Sequence, residues 1–292
     1  MRSVHKKNPS RAPFIRKFIF RRKSFIGYIF VVLILLSAFY LIPDKSRSSA
    51  QVLGTQIVEI EEYTNNINSS DGRVVTHGSR DQKKIALTFD AEMTDGMKEN
   101  LLSGKEKGSY DKRIVDTLTQ TNTKATFFLT GMWIELYPEI TRNLSSNPLF
   151  KLGSHSYTDS SFDGYCYGLK QISDDLKKQE AVETTQKLLK DSAGIDNYLF
   201  RFPGGCYSEK DLDMLNKAGL KVIHWDVSGG DGFNHSSASI EQNVLGKTQN
   251  GSIIILHLNG SHTAPKTSEA LPKIISELKA RGFEFVKVSE LP

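Results

Sequence analysis

The chain has 292 residues, 38% hydrophobic and 24% charged, and can build one large core or one domain with appendages. Its formal charge of +5 is unevenly distributed, because nine Lys and Arg lie between Arg2 and Lys23, ahead of the first acidic residue, Asp44. The remainder holds 29 basic and 33 acidic residues. This distribution excludes a protein that is basic throughout, and we expect no nucleic-acid partner.

An uncharged apolar stretch follows the basic tail. Residues 25–42, FIGYIFVVLILLSAFYLI, are eighteen residues long and end at Pro43. A helix of this length just spans a bilayer core. We predict a transmembrane anchor at 25–42 behind a basic cytoplasmic tail, 1–24, because positive charge retains that flank in the cytoplasm. Everything after residue 43 would then lie outside the cell membrane. The alternatives are a cleaved signal peptide and a nucleic-acid-binding tail.

Polar residues dominate 43–82, which we interpret as a stalk or linker. From there, seven β-rich apolar runs follow one another, most of them separated by helix-patterned stretches. Strands that alternate with helices predict an α/β domain over 83–292 with a parallel sheet, and seven units fit a (β/α) barrel. An open doubly wound sheet is the alternative. The runs are KIALTFD, ATFFLTG, FKLGSH, YLFRFPG, KVIHWDV, SIIILH and FEFVKVS.

Chemically active residues stand at the ends of five of these runs. Because the carboxyl ends of parallel strands share one rim, we expect these residues to meet in one pocket. Each alone has a structural alternative, since a His at a strand end is often a core residue and an Asp there often caps a helix. The residues are Asp90, His155, Arg201, Asp226, Asp231 and His257.

A carboxylate, a His-x-x-x-Asp pair and a separate His favour metal-assisted hydrolysis. His155 and Asp159 are four residues apart, and on one helical turn such residues face the same way, so both could bind one ion. The sequence has no G-x-S-x-G elbow, no P-loop and no G-x-G-x-x-G motif opening a helix.

The segments ALTFDAEMT, GSHSYTD, RFPGG, WDVSGGD and IIILH occur in this order along the chain. They resemble the five motifs of the polysaccharide deacetylases with a NodB-type domain, carbohydrate esterase family 4. The likeness covers about residues 83–292. It implies a distorted (β/α) barrel and the metal-dependent hydrolysis of N-acetyl groups on a glycan, usually with zinc. Anchored and secreted forms are both common in that family.

Carried over by position, the resemblance implies a role for each matching residue. Asp90 would be the base, with Arg201 orienting it, and His257 would be the general acid, with Asp231 tuning its imidazole. The backbone N–H of Gly204 would stabilise the oxyanion. Trp225 and Tyr207 would line the sugar site, although core packing explains each of them equally well.

The metal motif departs from the family pattern at two positions. His155 matches an implied metal ligand, but Ala91 stands where a second aspartate usually binds the ion, and Glu92 is the best substitute. Asp159 stands where the second motif usually ends in His, and carboxylate oxygens are reasonable zinc ligands. The harder ligand set shifts the expected preference toward Mn, Fe or Co, with Zn²⁺ still the first expectation.

Two cysteines, Cys166 and Cys206, follow the third and fourth predicted strands. In an exported domain this placement predicts a disulfide, with a free thiol pair and thiolate ligation of the metal as alternatives. An active enzyme would take an acetylated polysaccharide as its partner and remove N-acetyl or O-acetyl groups. The alternative is a catalytically disabled, membrane-tethered relative of the deacetylases with a glycan-binding or regulatory role.

Overall fold

The computed structural model describes residues 72–292. The predicted basic tail at 1–24, the predicted anchor at 25–42 and most of the predicted stalk at 43–82 lie outside the described residues. Among residues 72–292, no helix is both long enough and apolar enough to cross a membrane.

In the described part of the chain, a nine-stranded sheet forms the centre of the fold, and all of its strand pairs are parallel. The hydrogen-bonded order is β1-β6-β5-β4-β3-β2-β8-β7, with β9 beside β2. The strands are β1 (Val74–Val75), β2 (Lys84–Ala91), β3 (Ala125–Leu129), β4 (Phe150–Ser154), β5 (Leu199–Phe200), β6 (Lys221–Ile223), β7 (Val227–Ser228), β8 (Ile253–His257) and β9 (Glu284–Val286).

Within residues 72–292, eight α-helices connect the strands, and most begin at a Ser, Thr or Asp that accepts a hydrogen bond from the first turn. Such caps satisfy backbone N–H groups that have no partner inside the helix. The helices are α1 (Asp95–Leu102), α2 (Lys112–Gln120), α3 (Gly131–Leu136), α4 (Pro138–Ser146), α5 (Asp175–Ala193), α6 (Glu209–Lys217), α7 (Ser237–Lys247) and α8 (Thr267–Ala280), with 3₁₀ turns at Pro203–Gly205 and Val288–Glu290.

The sheet curls because of a short connection between its edges. β6 lies near one end of the strand order and β7 at the other, yet only residues 224–226 separate them in the chain. An extended chain advances at most about 3.6 Å per residue, so three residues hold the two edges close together. The result is an incomplete barrel.

The predicted parallel α/β architecture is confirmed, but the strand count of seven is wrong. The fifth predicted run is two strands, β6 and β7, because the chain leaves one sheet edge at His224 and joins the other at Val227. A further strand, Val74–Val75, lies in the range interpreted as the stalk and pairs with β6.

Alternation along β2 determines which residues face the functional rim. One face presents Ile85, Leu87, Phe89 and Ala91 to the main hydrophobic core. Side chains of successive strand residues point to opposite faces, so Asp90 and the following Glu92 share the other face. Ala91 is fully buried in the core.

Candidate active site

Asp90 and Arg201 form a buried ion pair at the carboxyl ends of β2 and β5. Arg201 Nη1 donates to Asp90 Oδ1 over 2.8 Å. The same nitrogen lies 2.9 Å from Thr88 Oγ1, and Arg201 Nε and Nη2 donate to the carbonyls of Ile223 and His224, each over 3.2 Å. These contacts fix one oxygen of Asp90 and leave its Oδ2 directed elsewhere.

The Arg201 guanidinium is fully buried and lies between two aromatic rings. Its central carbon is 4.2 Å from the ring centre of Phe128 and 5.5 Å from that of Trp225. Burial lowers the pKa of Arg201, and the Asp90 carboxylate acts in the opposite direction. A guanidinium remains charged in proteins, so Arg201 is a fixed positive charge beneath the site.

His155 follows β4 and presents one ring nitrogen to the site. Its Nδ1 lies 2.9 Å from the carbonyl oxygen of Arg201, so Nδ1 carries the hydrogen and donates it. In the neutral ring this leaves a lone pair on Nε2, the form that binds metals. Nε2 is buried, has no hydrogen-bond partner within residues 72–292, and lies 3.6 Å from Asp90 Oδ2.

Asp159 and Glu92 bring two carboxylates to His155. One ligand atom from each of these three residues lies within 4.8 Å of the other two. Asp159 Oδ1 is 4.0 Å from His155 Nε2 and likewise has no hydrogen-bond partner in the described part of the chain. Burial raises the pKa of Asp159 well above its ordinary value, and the charge of Glu92 adds to this effect.

His257 ends β8 with a carboxylate at each ring nitrogen. Nδ1 lies 2.8 Å from Asp231 Oδ1, and Nε2 lies 3.0 Å from Glu92 Oε1. Burial acts to lower the pKa of His257, but Asp231 and Glu92 outweigh burial and raise that pKa well above its ordinary value. For Asp231, burial acts to raise the pKa, while the charge and hydrogen bonds of His257, with one from Thr267, lower it overall.

Gly204 lies in the 3₁₀ turn after β5 with a φ of 63°, which favours glycine. A Cβ at this position would overlap Cys166 Sγ and approach the Tyr167 ring. The predicted disulfide between Cys166 and Cys206 is confirmed, with a Cα–Cα distance of 6.1 Å. The disulfide-linked loop therefore packs directly against the backbone of Gly204.

The two aromatic residues expected near the sugar site differ in exposure. Tyr207 is 8% exposed, and its ring stacks on Phe202 with centroids 4.7 Å apart. Trp225 is half-buried, and its ring lies 4.0 Å from that of His224. Aromatic packing thus accounts for Tyr207, while Trp225 remains partly exposed.

Asp226 does not join the pocket, and its predicted placement there is wrong. Its carboxylate accepts hydrogen bonds from Arg80, Ser252 and the backbone N–H of Ile253. Ile253 begins β8, whereas His257 ends it. Asp226 precedes β7 rather than following it, so it lies at the amino ends of the strands.

No sequence pattern pointed to Asn259, which is buried beside the site. Its side chain exchanges two hydrogen bonds with the backbone of Glu92. The only signal available was its position two residues after His257, in the loop where a strand end meets the rim.

The donor set fits a divalent metal. Two carboxylates and one imidazole suit zinc and the harder first-row ions alike. Buried polar atoms are nearly always partnered, so two unpartnered atoms converging within one small volume indicate a ligand. Alternation along β2 explains how Glu92, rather than the residue at position 91, reaches this volume.

Comparison with known proteins finds relatives both in sequence and in fold. A peptidoglycan-N-acetylglucosamine deacetylase of Bacillus cereus is 28% identical over 214 residues, covering 73% of this chain and 70% of that protein. A crystal structure of a peptidoglycan N-acetylglucosamine deacetylase, in complex with an N-oxidanyl-benzamide, matches with TM-score 0.64 and 26% identity over 76% of this chain and 94% of that chain.

A carbohydrate esterase family 4 pseudoenzyme from Bacillus anthracis shares the fold, with TM-score 0.61 and 21% identity over 76% of this chain and 69% of that one. The sequence profile described as Polysaccharide deacetylase matches residues 77–223. By its motifs, its fold and this match, the chain belongs to the polysaccharide deacetylase family.

Proposed function

We propose that this chain is a metal-dependent hydrolase that removes N-acetyl groups from a cell-wall polysaccharide. The observation that carries the proposal is the convergence of Glu92, His155 and Asp159 between an Asp90–Arg201 pair and a His257–Asp231 pair. Membership of an amide-hydrolase family and the peptidoglycan deacetylases among the relatives support the reaction and the substrate class.

Glu92, His155 and Asp159 would hold the ion. When bound, a divalent metal supplies Lewis-acid chemistry for the hydrolysis of an amide. His155 offers Nε2 because its Nδ1–H is donated to the Arg201 carbonyl, and this hydrogen bond also fixes the plane of the ring. Zn²⁺ is the first candidate, and Mn, Fe and Co are alternatives.

Asp90 is the general base in this proposal. Arg201 holds Asp90 Oδ1, so Oδ2 accepts a proton from the water whose oxygen attacks the acetyl carbonyl carbon. The backbone N–H of Gly204 donates to the carbonyl oxygen as negative charge develops on it.

His257 is the general acid. Asp231 accepts the hydrogen bond from Nδ1–H and holds the ring, while the proton on Nε2 passes to the amide nitrogen as the carbon–nitrogen bond breaks. The products are acetate and a free amine on the sugar. An O-acetyl ester would release its alcohol by the same transfers, and Trp225 offers an apolar edge for the sugar ring.

We also propose that the protein is anchored by residues 25–42, with the deacetylase domain on the outer side of the cell membrane. The uncharged stretch and its basic flank support this placement. Protease treatment of intact cells should then digest the domain while the full-length chain fractionates with membranes. A soluble product beginning near residues 46–51 would contradict it.

Acetate release from N-acetylglucosamine oligomers and from peptidoglycan tests the reaction. The full-length chain, purified in detergent, should release acetate in a reaction that a chelator abolishes and that Zn²⁺ restores. A protein that binds Zn²⁺ and glycan but releases no acetate would instead be a disabled relative. This alternative function rests on Ala91, because alanine cannot supply the metal ligand that the family usually has at this position.

A further inference from the structure

The side chain of Asn259 extends the ladder between β2 and β8 beyond the last backbone pair. Asp90 and His257 are the final register partners, and Leu258 N–H donates to the Asp90 carbonyl over 2.8 Å. The chain then turns away at Gly260, which has a φ of 63°. Glu92 is therefore left without a backbone partner on this side of β2.

The Asn259 amide takes the place of that partner. Its Oδ1 accepts from the Glu92 N–H over 3.0 Å, and its Nδ2 donates to the Glu92 carbonyl over 2.6 Å. A side-chain amide has the same donor and acceptor as a peptide group, so one residue completes both bonds. At 1% exposure, Asn259 is shielded from competing water.

Other contacts hold Asn259 in turn. Nδ2 also donates to Ser109 Oγ over 2.5 Å. The backbone N–H of Ser109 donates to Tyr137 Oη over 2.8 Å, and Trp133 Nε1 donates to the Ser109 carbonyl over 2.8 Å. The amide is therefore held by a hydrogen-bond network that includes two aromatic side chains, Trp133 and Tyr137.

Such an anchor is important for Glu92 because of its position in the chain and the length of its side chain. It lies one residue beyond β2, and its long side chain loses more rotamer freedom when fixed than an aspartate would. We infer that Asn259 is a positioning residue that fixes the Glu92 backbone so that its carboxylate reaches His155 and Asp159. This inference rests on the proposed function, because it assigns Asn259 to the same metal site.

The sequence offers a matched control in Asn197. Its side chain makes the same two-point contact with the backbone of Leu199, accepting from N–H over 3.0 Å and donating to the carbonyl over 2.7 Å. Leu199 begins β5 and belongs to the hydrophobic core. Asn197→Ala removes an equivalent contact without touching the candidate metal ligands.

Zinc affinity of the full-length chain, measured by competition with a chromogenic chelator, tests the inference. Asn259→Ala should bind Zn²⁺ about 10- to 100-fold more weakly than wild type, the usual range for losing a residue that supports a ligand. Asn197→Ala should retain wild-type affinity. The metal-free Tm of both variants, measured alongside, gives the stability cost of each lost contact separately from its effect on Zn²⁺ affinity.

A double-mutant cycle identifies the route of the effect. If Asn259 acts through Glu92, Asn259→Ala should weaken Zn²⁺ binding in wild type but add nothing to Glu92→Ala. Additive losses would overturn the inference. If Asn259→Ala does not fold, Ser109→Ala replaces it in the test. Ser109→Ala should also weaken Zn²⁺ binding, but by a smaller factor than is expected for Asn259→Ala.

The failure of the inference is distinguishable from that of the proposed function. Wild-type affinity in Asn259→Ala, or in Ser109→Ala where that variant decides, overturns the positioning role and leaves the hydrolase proposal intact. If the wild-type chain binds no Zn²⁺, Mn²⁺ or Co²⁺, both are overturned.

Discussion

Two aspartates at opposite ends of the curled sheet, Asp226 and Asp159, differ in how many hydrogen-bond partners their carboxylates have. At the amino ends of the strands, both oxygens of Asp226 are partnered, by Arg80 and Ser252 at Oδ2 and by the Ile253 N–H at Oδ1. At the carboxyl ends, Asp159 Oδ1 has no hydrogen-bond partner among residues 72–292, although Asp159 is buried. The carboxylate of Asp226 is fully partnered within the protein, whereas Asp159 leaves one oxygen available to a ligand.

The difference separates stability from function. Leaving a buried polar atom unpartnered costs about 1–3 kcal/mol, so a folded protein retains such atoms where a ligand compensates. Asp226 illustrates the opposite case, in which an ion pair and two further hydrogen bonds hold β7 against β8. Active sites of parallel α/β barrels use the carboxyl ends in the same manner.

The largest expected effect comes from replacing Asp with Asn at Asp90, with the same substitution at Asp226, at the opposite end of the sheet, as its control. Asp90→Asn should lower acetate release by roughly 100-fold or more, because the amide cannot accept the proton from water. Asp226→Asn should leave the rate of acetate release unchanged and lower stability only, through the lost ion pair with Arg80. Initial rates at saturating zinc, with urea unfolding of both variants, make the comparison. Equal rates in the two variants would contradict the assignment of Asp90 as base.

A second pair of variants addresses the unpartnered atoms directly. Asp159→Ala should reduce Zn²⁺ affinity at least about 100-fold, because two protein ligands fix an ion poorly compared with three. Asp159→His should retain or increase zinc affinity, since a neutral nitrogen ligand suits zinc. Metal content after dialysis decides. If Asp159→Ala keeps its metal, Asp159 is only a loop residue, and its loss should lower the free energy of unfolding by about 1 kcal/mol.

The sequence predicted the architecture well because its signals are periodic. Alternating apolar runs and helical stretches indicate a parallel sheet, and the motif order indicates the family. The split of KVIHWDV into β6 and β7 was missed, because a continuous apolar run gives no sign that the chain crosses from one sheet edge to the other. That error also misplaced Asp226, which precedes β7 and therefore lies at the opposite end from Asp231.

The site was predictable in residue type but not in contacts. Strand ends identified His155 and His257 as candidates, and the sequence alone named Glu92 as a substitute for the ligand missing at Ala91. What it could not show was that Glu92 also contacts His257, or that Asn259 completes the backbone bonds of Glu92. These contacts join residues more than 160 positions apart, and no local pattern encodes them.

The disulfide gives a smaller effect at the functional end. It closes a 40-residue separation and links the loop beside Gly204 to the loop after β4, so removing it should lower stability by about 4 kcal/mol. The variant Cys166→Ser with Cys206→Ser should lose this stability in urea unfolding. Its rate of acetate release should also fall, because Cys166 packs on Gly204. Unchanged stability would show that the disulfide does not constrain the unfolded chain.

The smallest expected effect concerns His224, in the connection between the two sheet edges. Burial, reinforced by the charge of Arg201, lowers the pKa of His224 from 6.5 to about 4. Between these values the unfolded chain binds the proton more readily than the folded one, so stability is present above pH 6.5 and is lost as the pH falls toward 4. The ring accepts a hydrogen bond from the Trp225 N–H at Nδ1, which requires the neutral form.

Lowering the pH from 7.5 to 5 should therefore reduce the free energy of unfolding by about 2 kcal/mol through His224 alone. His224→Gln keeps an acceptor for the Trp225 N–H but cannot titrate. Between pH 7.5 and 5, the free energy of unfolding of this variant should therefore fall by about 2 kcal/mol less than that of wild type. Urea unfolding of both proteins at the two pH values measures the difference. Because each protein retains the carboxylates and imidazoles of the candidate metal site, their contribution cancels in the comparison. An identical pH dependence in the variant would assign the acid sensitivity to the unpartnered end of the sheet rather than to the connection between its edges.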